Sequence, residues 1–339
     1  MKERAGSVVG TKEQVLAILE QHRGESISGA YMAEQLTLSR NAVWKAVKEL
    51  EKEGYRIQAA ANKGYCLSTD NDILSVQGMF PYLSDKGLAE NIFLYPSLES
   101  TNKTAKELAI AGIAHSAVIL AGYQTAGRGR FSRSFFSPPG HGIYMSFILL
   151  PAQWHWLGAP TLVTSYAAVS VCEAIETTTG KKPQIKWVND VFLHGKKICG
   201  ILSEAVTDYE SGGTQWVVVG IGVNFTTPDA GFPDEIKHTA GSVFSQEKPT
   251  ITRNRLAAEV VNRMLRKNNI GDSKPVLVEY KKRLMMLGCR VLVSGLRESF
   301  AATAIDIDET GRLIVEKDNG ETLLLSSGEV SLTGIAGTG

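Results

Sequence analysis

Three arginines occur close together in the middle of the chain, in the stretch YQTAGRGRFSRSFFSP at residues 123–138. Arg128, Arg130 and Arg133 stand among serines and glycines, and the stretch contains no carboxylate. Guanidinium groups bind phosphate and carboxylate through paired hydrogen bonds, and glycines let backbone N–H groups approach an anion. The composition therefore favours a loop that closes over an anion. A solvated basic loop is the alternative.

Other polar side chains along the sequence could serve the same anion. They are Ser100, Thr101 and Asn102 at a predicted helix start, then Gln124, Lys186, Lys197 and Asn224. The six histidines are scattered and suggest no catalytic triad, and the chain has neither a G-x-x-x-x-G-K-[ST] phosphate loop nor an H-E-x-x-H metal motif. A set of donors without a histidine base suits phosphoryl or nucleotidyl transfer, which depends mainly on positioning and electrostatics.

Length and composition limit the class of protein that positions these groups. A chain of 339 residues predicts two or three domains, and 43% hydrophobic with 21% charged residues is typical of globular proteins. The four cysteines are far apart, which favours reduced thiols in a cytosolic protein. The N-terminus has no apolar signal core, and no window holds 18 consecutive apolar residues. We expect a cytoplasmic protein that makes no membrane contact.

The N-terminal part has the pattern of a winged helix-turn-helix, predicted as a domain over residues 1–68. Helices are expected over 11–23, 28–36 and 40–54, with Thr11 and Ser39 as N-caps, followed by a hairpin over 55–68. The polar face of the third helix is basic. Candidate DNA-binding residues are Ser39, Arg40, Asn41, Lys45, Lys48 and, in the wing, Lys63. A three-helix module for protein contacts is the alternative.

Two further domains are predicted, over residues 76–285 and 286–339. In the first, strands alternate with helices, which indicates an α/β (α+β) layer domain with a mixed sheet. Residues 215–225 are so apolar that we expect a central strand, and residues 183–206 are interpreted as two strands around His194-Gly195. In the second, short alternating runs joined by turns predict a small β-barrel of about 50 residues.

Five motifs occur in an order that resembles the biotin protein ligases. They are S-T-N at 100–102, Y-Q-x-A-G-R-G-R at 123–130 followed by F-S-P, K-W-x-N-D at 186–190, K-x-x-G-I-L at 197–202 and G-x-G-V-N at 220–224. With the N-terminal domain, the resemblance is to the bifunctional type that also represses biotin genes, and it covers residues 11–332. It implies a catalytic domain related to class II aminoacyl-tRNA synthetases and a C-terminal SH3-like barrel.

The same resemblance implies substrates and partners. Biotin and ATP with Mg²⁺ would form biotinyl-5′-AMP, from which biotin passes to a lysine of biotin carboxyl carrier domains of the acetyl-CoA or pyruvate carboxylase type. Operator DNA would be bound by a homodimer that forms when the adenylate is present.

Site residues follow from the resemblance position by position, with residues 127–137 folding over the adenylate. Biotin would be bound by Ser100, Thr101, Asn102, Gln124, Arg128, Gly129, Arg130 and Lys197. The nucleotide would be bound by Arg130, Arg133, Phe135, which is placed over the adenine, Lys186 and Asn224, which is placed at the triphosphate or its magnesium. Arg128, Arg130, Lys197 and Asp190 would be catalytic, with Asp190 beside the incoming amine, and no protein cluster is expected to bind a metal by itself.

The sequence departs from the family pattern at two places. Val188 stands where the K-W-P-N-D motif has proline, and FSRSFF is less basic than the corresponding segment of some relatives. Trp187 could belong to the core or to the site.

Three other functions compete with this one. A lipoate or octanoate ligase would lack both the G-R-G-R loop and the winged helix. A biotin sensor without catalysis would not need Arg128, Arg130, Lys197 and Asn224. A ligase with a vestigial DNA-binding domain is the third alternative, and the basic face of the third helix argues against it.

Overall fold

The structure is a computed structural model, and it describes residues 10–60, 63–113, 116–150, 160–207, 214–266, 273–294 and 299–332. The helices are α1 (Thr11–Gln21), α2 (Gly29–Gln35), α3 (Arg40–Lys52), α4 (Val76–Met79), α5 (Thr101–Ile110), α6 (Pro160–Thr179), α7 (Arg253–Met264) and α8 (Lys274–Arg283). Two compact units result, residues 1–94 with 250–262 and residues 95–249 with 263–339.

The strands run in chain order through both units. They are β1 (Ile57–Ala60), β2 (Gly64–Leu67), β3 (Ile92–Tyr95), β4 (Val118–Ala121), β5 (Gly142–Leu149), β6 (Gln184–Lys186), β7 (Asp190–Leu193), β8 (Lys196–Thr207), β9 (Thr214–Asn224), β10 (Arg290–Ser294), β11 (Ser299–Ile307), β12 (Leu313–Glu316), β13 (Thr322–Leu325) and β14 (Glu329–Leu332).

The first unit contains the predicted three helices and hairpin. Apolar residues at helical spacing on α1 and α3, such as Val15, Leu19, Val43 and Val47, are buried together and form the core of this unit. The hairpin pairs β1 with β2 in antiparallel register. Its tip includes Asn62, which lies outside the described residues.

Helix boundaries in this unit follow capping chemistry. Ser39 caps α3 as predicted, because its hydroxyl accepts a 3.1 Å hydrogen bond from the backbone N–H of Ala42. Gly54, at φ +93°, follows the end of this helix as predicted. The predicted cap of α1 is wrong. Thr11 is already helical, and the N-cap is Gly10, whose carbonyl accepts the first helical bond from Gln14.

The second unit is built on a seven-stranded sheet with the order β3-β4-β5-β9-β8-β7-β6. The apolar strand β9 is central, as predicted. The five ladders from β4 to β6 are antiparallel, while the isolated bridge between Leu98 and Gln124 is parallel. The expected mixed sheet is therefore mainly antiparallel. The prediction of two strands over residues 183–206 is wrong, because the turn at 187–189 creates an additional hairpin in which Lys186 pairs with Asp190.

Helices pack on this sheet, and one of them fixes the turn between two of its strands. α5 packs against β4, β5 and β9, and α6 packs against β7, β8, β9 and α8. The sequence interpretation missed α8, whose buried residues Val276 and Tyr280 are few for its length. Tyr280 donates a 3.0 Å hydrogen bond to the carbonyl of Val188 and so fixes the turn between β6 and β7.

The C-terminal strands form a five-stranded antiparallel sheet in the order β13-β12-β11-β10-β14. Among the residues that the structure describes, no ladder joins the two edge strands, so the closed barrel expected from the sequence is not observed. Trp187 is buried and donates a 3.0 Å hydrogen bond to the carbonyl of Gly311, which ties this sheet to the turn after β6. Across the described ranges, no helix has the length and apolar character needed to cross a membrane.

Candidate active site

A cavity of about 240 Å³ is lined by residues of the inner strands β8 and β9 and of the loop at residues 123–138. It brings together all the residues that the sequence analysis assigned to biotin, the nucleotide and catalysis. They are Ser100, Thr101, Asn102, Gln124, Arg128, Gly129, Arg130, Arg133, Phe135, Lys186, Asp190, Lys197 and Asn224.

One end of the cavity is formed by the start of α5. Ser100 occupies the N-cap position, but its hydroxyl makes no cap bond. The cap comes instead from Gln124, whose side-chain oxygen accepts a 2.8 Å hydrogen bond from the backbone N–H of Thr101. The Gln124 amide nitrogen donates to the Ser137 hydroxyl at 2.9 Å. Helix start and loop are therefore held together by one side chain, while the buried Ser100 hydroxyl remains available to a ligand.

The Asn102 side chain is held by contacts with β5 and β8. Its amide nitrogen donates to the carbonyl of Leu202 at 3.2 Å and to Glu204 at 2.8 Å, and its oxygen lies 2.7 Å from the fully buried Ser146 hydroxyl. Lys106 donates to the other oxygen of Glu204 at 2.7 Å. Burial alone would raise the pKa of Glu204, but these hydrogen bonds lower it below its ordinary value.

Two glycines of β9 make room for these side chains. A Cβ atom on Gly220 would lie 2.1 Å from the Asn102 oxygen, and one on Gly222 would lie 2.4 Å from the Phe135 ring. Gly200 of β8 faces the same ring, and a Cβ atom there would lie 3.1 Å from it. The G-x-G spacing therefore allows both Asn102 and Phe135 to lie directly on the sheet.

The arginine loop has a defined backbone conformation. Gly129 donates its N–H to the carbonyl of Arg133 at 2.7 Å, and Phe135 donates to the carbonyl of Gly127 at 2.8 Å. Phe131 and Ser132 have φ of +55° and +60°. This is the left-handed region, which is unfavourable for residues with a side chain and persists where the surroundings enforce it.

Arg130 of the loop and Lys186 of β6 supply positive charge to the cavity. Arg130 donates to the Asn189 side chain at 3.1 Å and approaches the carbonyl of Gly328 at 3.4 Å. Burial lowers the pKa of the Arg130 guanidinium from its ordinary value, opposed by the charges of Asp190 and Glu329. The pKa of Lys186 is lowered by burial in the same way. Two cations that are partly removed from water are a strong site for an anion.

Carboxylates from other segments approach the other two arginines. Arg128 lies 3.6 Å from Glu99, and Arg133 forms two 2.8 Å hydrogen bonds with Glu329 of β14. The hydrogen bonds from Arg133 lower the pKa of Glu329. The sequence argument from an acid-free loop therefore needs a correction, because the loop has no acid of its own but contacts two acids that are distant in sequence.

Lys197 and Asp190 form an ion pair on adjacent strands. The ammonium lies 2.8 Å from Oδ1 of Asp190, and the two side chains are 34% and 20% exposed. The alignment is not that of a hydrogen bond, since this buried oxygen accepts none from the described residues. Oδ1 of Asp190 is therefore buried and faces the Lys197 ammonium without an aligned donor.

Asn224 is the last residue of β9 and lines the cavity. Its amide nitrogen donates to the carbonyl of Gly241 at 2.9 Å, which leaves its oxygen for a ligand. Within the described part of the chain, no group of three or more histidine, cysteine, aspartate or glutamate side chains could hold a metal ion.

The candidate DNA-binding residues form a separate set in the first unit. Arg40, Asn41, Lys45 and Lys48 are exposed on α3, and Lys63 is exposed beside β2. Lys48 is paired with Glu51 at 2.6 Å, whereas no hydrogen bond or ion pair to Arg40, Asn41 or Lys45 occurs among the described residues. Ser39 serves as the helix cap.

Comparison with known proteins gives a relative that covers nearly the whole chain. The sequence is 32% identical over 312 residues to the bifunctional ligase/repressor BirA of Bacillus subtilis (strain 168), across 91% of this chain and 95% of the relative. The chain belongs to the bifunctional ligase/repressor BirA family. The BirA protein of Escherichia coli (strain K12) is 27% identical, over 91% of this chain and 94% of its own.

Domain-level matches agree with this assignment to the BirA family. Residues 11–66 match an HTH domain, residues 94–224 match the biotin/lipoate A/B protein ligase family, and residues 287–333 match the biotin protein ligase C terminal domain. The biotin protein ligase from Aquifex aeolicus, solved in complex with biotin and ATP, superposes with a TM-score of 0.60 and 26% identity. That match covers 71% of this chain and 98% of the Aquifex chain.

The sequence reasoning missed several residues in or beside this BirA-family cavity, of which Asn189 and Glu329 line it. Ser146, Asn189, Glu204 and Glu329 all bond to predicted site residues. Glu204 follows the K-x-x-G-I-L motif by two positions. Residues two apart on a strand share a face, so its position beside Leu202 on the site face of β8 could have been read from strand periodicity. Glu329 carries no such signal, because its partner Arg133 is almost two hundred residues away in the chain.

Proposed function

We infer that the protein is an ATP-dependent biotin protein ligase whose N-terminal unit binds DNA as a repressor. The observation that carries the ligase function is the cavity itself. It has neutral hydrogen-bonding groups around Ser100 and Thr101 at one end and the cations Arg130, Lys186 and Lys197 at the other. A ureido ring with one acceptor and two donors suits the first end, and phosphate suits the second.

The first step joins biotin to AMP. An oxygen of the biotin carboxylate attacks the α-phosphorus of ATP, the bond to the β-phosphate oxygen breaks, and pyrophosphate leaves. We assign Arg128, Arg130 and Lys197 to the carboxylate and the α-phosphate, because bringing two anions together requires compensation of their charge. Backbone N–H groups of the loop at residues 127–137 add donors as the loop folds over the adenylate.

The second step transfers the biotinyl group. The amine of a carrier-domain lysine attacks the acyl carbon of the mixed anhydride, and AMP leaves as the amide bond forms. Only an uncharged amine is a nucleophile. We assign Asp190 to orienting this amine and accepting its proton, and the support is its place in the cavity lining beside Lys197.

Magnesium, when bound with ATP, neutralises part of the triphosphate charge. Mg²⁺ commonly takes one or two protein ligands together with phosphate oxygens and water. Asn224, with its side-chain oxygen left for a ligand, fits that use, and a three-residue metal cluster is not needed. Arg133 and Lys186 would contact the outer phosphates, and Phe135 would pack near the adenine.

The finer features of the proposal concern architecture and partners. We assign the catalytic fold to the class II aminoacyl-tRNA synthetase type and the C-terminal sheet to the SH3-like type, on the basis of the family resemblance. The acceptors would be carrier domains of acetyl-CoA or pyruvate carboxylases in the cytoplasm. A single winged helix supplies one recognition helix, so operator binding would require a homodimer, formed when biotinyl-5′-AMP is bound.

Biotin-dependent exchange of labelled pyrophosphate into ATP tests the first step without any acceptor. Purified protein with Mg-ATP should show exchange with biotin and none with lipoate or octanoate. Exchange supported by lipoate or octanoate, or the absence of any exchange, would contradict the proposed ligase function.

A further inference from the structure

One large apolar side chain lies on the polar face of α3. Trp44 is 49% exposed, although a tryptophan gains more from burial than most residues. Residues four apart are neighbours on a helix, so Trp44 lies between Arg40 and Lys48 on the helix surface. The core of the unit takes the other face, where Val43 and Val47 are fully buried.

Trp44 has no partner of its own in the described chain. No hydrogen bond, aromatic contact or cation–π contact involves its indole there, whereas other exposed aromatic side chains do have one, as Tyr82 has with Arg255. The ring lies on the surface of a helix that has its own N-cap hydrogen bond and packs its other face into the core of the unit. A large apolar side chain that is exposed on a helix and makes no such contact within the described chain indicates contact with a partner molecule.

The charges around the indole identify the partner as a polyanion. Arg40 and Lys45 are exposed and make no ion pair among the described residues, and no acid occurs between Gln35 and Lys48. Lys63 adds a further exposed cation in the hairpin. This cationic surface matches duplex DNA, whose major groove admits an α-helix.

Base edges in the major groove offer only one apolar group to such a side chain, the C5-methyl of thymine. We propose that Trp44 contacts a thymine C5-methyl in each operator half-site and thereby sets part of the base specificity of the repressor. The proposal rests on the DNA-binding function inferred above. Arg40 and Asn41 supply hydrogen bonds to bases or phosphates on the same face, while the indole supplies the large apolar surface that can contact the methyl group.

The test uses the full-length protein with biotin and Mg-ATP. A duplex is first selected from a random-sequence pool, and each thymine of the selected site is then replaced singly by deoxyuridine, which lacks only the methyl group. At one thymine per half-site, the wild-type protein should lose about fourfold in affinity, the effect of one methyl-sized apolar group. Trp44→Ala should bind the thymine and deoxyuridine forms equally at that position, and Trp44→Phe should retain the difference.

The outcomes separate this inference from the function on which it rests. Ile110→Ala, which removes another exposed apolar side chain in the second unit, should show the wild-type pattern. If every deoxyuridine substitution affects wild type and Trp44→Ala equally, the methyl contact is wrong although DNA binding stands. If Trp44→Ala instead alters dimer sedimentation alone, the indole contacts protein and the inference is wrong. If the wild-type protein selects no duplex, the DNA-binding function itself fails.

Discussion

Arg133 of the arginine loop and Glu329 of β14 form a two-bonded ion pair, in which each of two guanidinium nitrogens lies 2.8 Å from a carboxylate oxygen. Arg130 approaches the carbonyl of the preceding residue, Gly328, at 3.4 Å. Both contacts join the loop to the C-terminal sheet. The predicted anion-binding loop is thus anchored at a place distant in sequence, and its opening can be probed by releasing that anchor.

Glu329→Gln should loosen the loop without unfolding the protein. Because the Arg133 side chain is 62% exposed, the pair contributes under about 1 kcal/mol, and trypsin should cleave after Arg128, Arg130 and Arg133 roughly 1.5 to 5 times faster. Glu321→Gln is the matched control, since Glu321 pairs with Lys317 at 3.1 Å in the same sheet and does not touch the loop. Equal cleavage rates in the two variants would show that the ion pair does not hold the loop.

The pH dependence of biotin binding should report Glu204. The pKa of this carboxyl is lowered, so its hydrogen bonds with Lys106 and Asn102 are complete above its ordinary pKa and are lost as the pH falls through the depressed value. Biotin affinity measured by calorimetry should therefore stay constant from pH 8 down to the ordinary glutamate pKa of about 4.3 and fall only at lower pH, as Glu204 becomes protonated. Glu204→Gln should bind biotin more weakly at pH 7 and lack the acid-side decline. An unchanged affinity in this variant would place Glu204 outside the biotin network.

Gly220→Ala and Gly222→Ala should damage different halves of the cavity. The added Cβ at position 220 would press on Asn102, and the one at position 222 would press on the Phe135 ring. Gly220→Ala should chiefly raise the KM for biotin, while Gly222→Ala should chiefly weaken adenylate retention. Phe135→Ala combined with Gly222→Ala should relieve the clash and restore thermal stability. The reverse division of effects, or no rescue in the double variant, would contradict this arrangement.

Arg130→Ala and Thr101→Ala separate the charged and neutral ends of the cavity. Hydrogen bonds to a charged group contribute about 1.5–3 kcal/mol, so Arg130→Ala should weaken a non-hydrolysable adenylate analogue roughly 10- to 150-fold and free biotin much less. Thr101→Ala should weaken both ligands similarly, because both carry the biotin head. Calorimetry with the two ligands gives the comparison. If Arg130→Ala lowers the affinity for both ligands equally, the assignment of Arg130 to the phosphate is wrong.

Arg40→Ala and Lys45→Ala should abolish operator binding in a gel shift and leave carrier biotinylation unchanged. Both side chains are exposed and make no ion pair in the described chain, so their charge is available to DNA. Lys12→Ala is the control, because Lys12 is already paired with Glu53 at 2.6 Å. If the control and test variants lose DNA binding alike, net charge rather than the α3 surface is responsible.

Ligand, dimer and operator should also be coupled. The adenylate should increase dimerisation in sedimentation experiments, and operator DNA should slow release of the adenylate to the same thermodynamic extent. If the dimer affinity does not change with the adenylate, the protein is a ligase whose DNA-binding unit is not regulated by ligand.

Local patterns in the sequence predicted much of this architecture, and contacts between distant residues account for the rest. Ser39 lies directly before a periodic helix, so capping chemistry identified the start of α3. The strands β6 and β7 were merged because KWVND is too short to look like a turn between strands. The roles of Glu204 and Glu329 depend on partners in other elements. Strand periodicity could place Glu204 on the site face, but propensity and periodicity do not identify the partner of either residue.

The most direct test of the central claim is transfer of biotin to an acceptor lysine. Purified protein is incubated with biotin, Mg-ATP and a biotin carboxyl carrier domain, and the product is detected with avidin. We predict one biotin per carrier domain, none when the acceptor lysine is replaced by arginine, and a strongly reduced rate with Asp190→Asn. A carrier domain that remains unlabelled by the wild-type protein under these conditions would contradict the account.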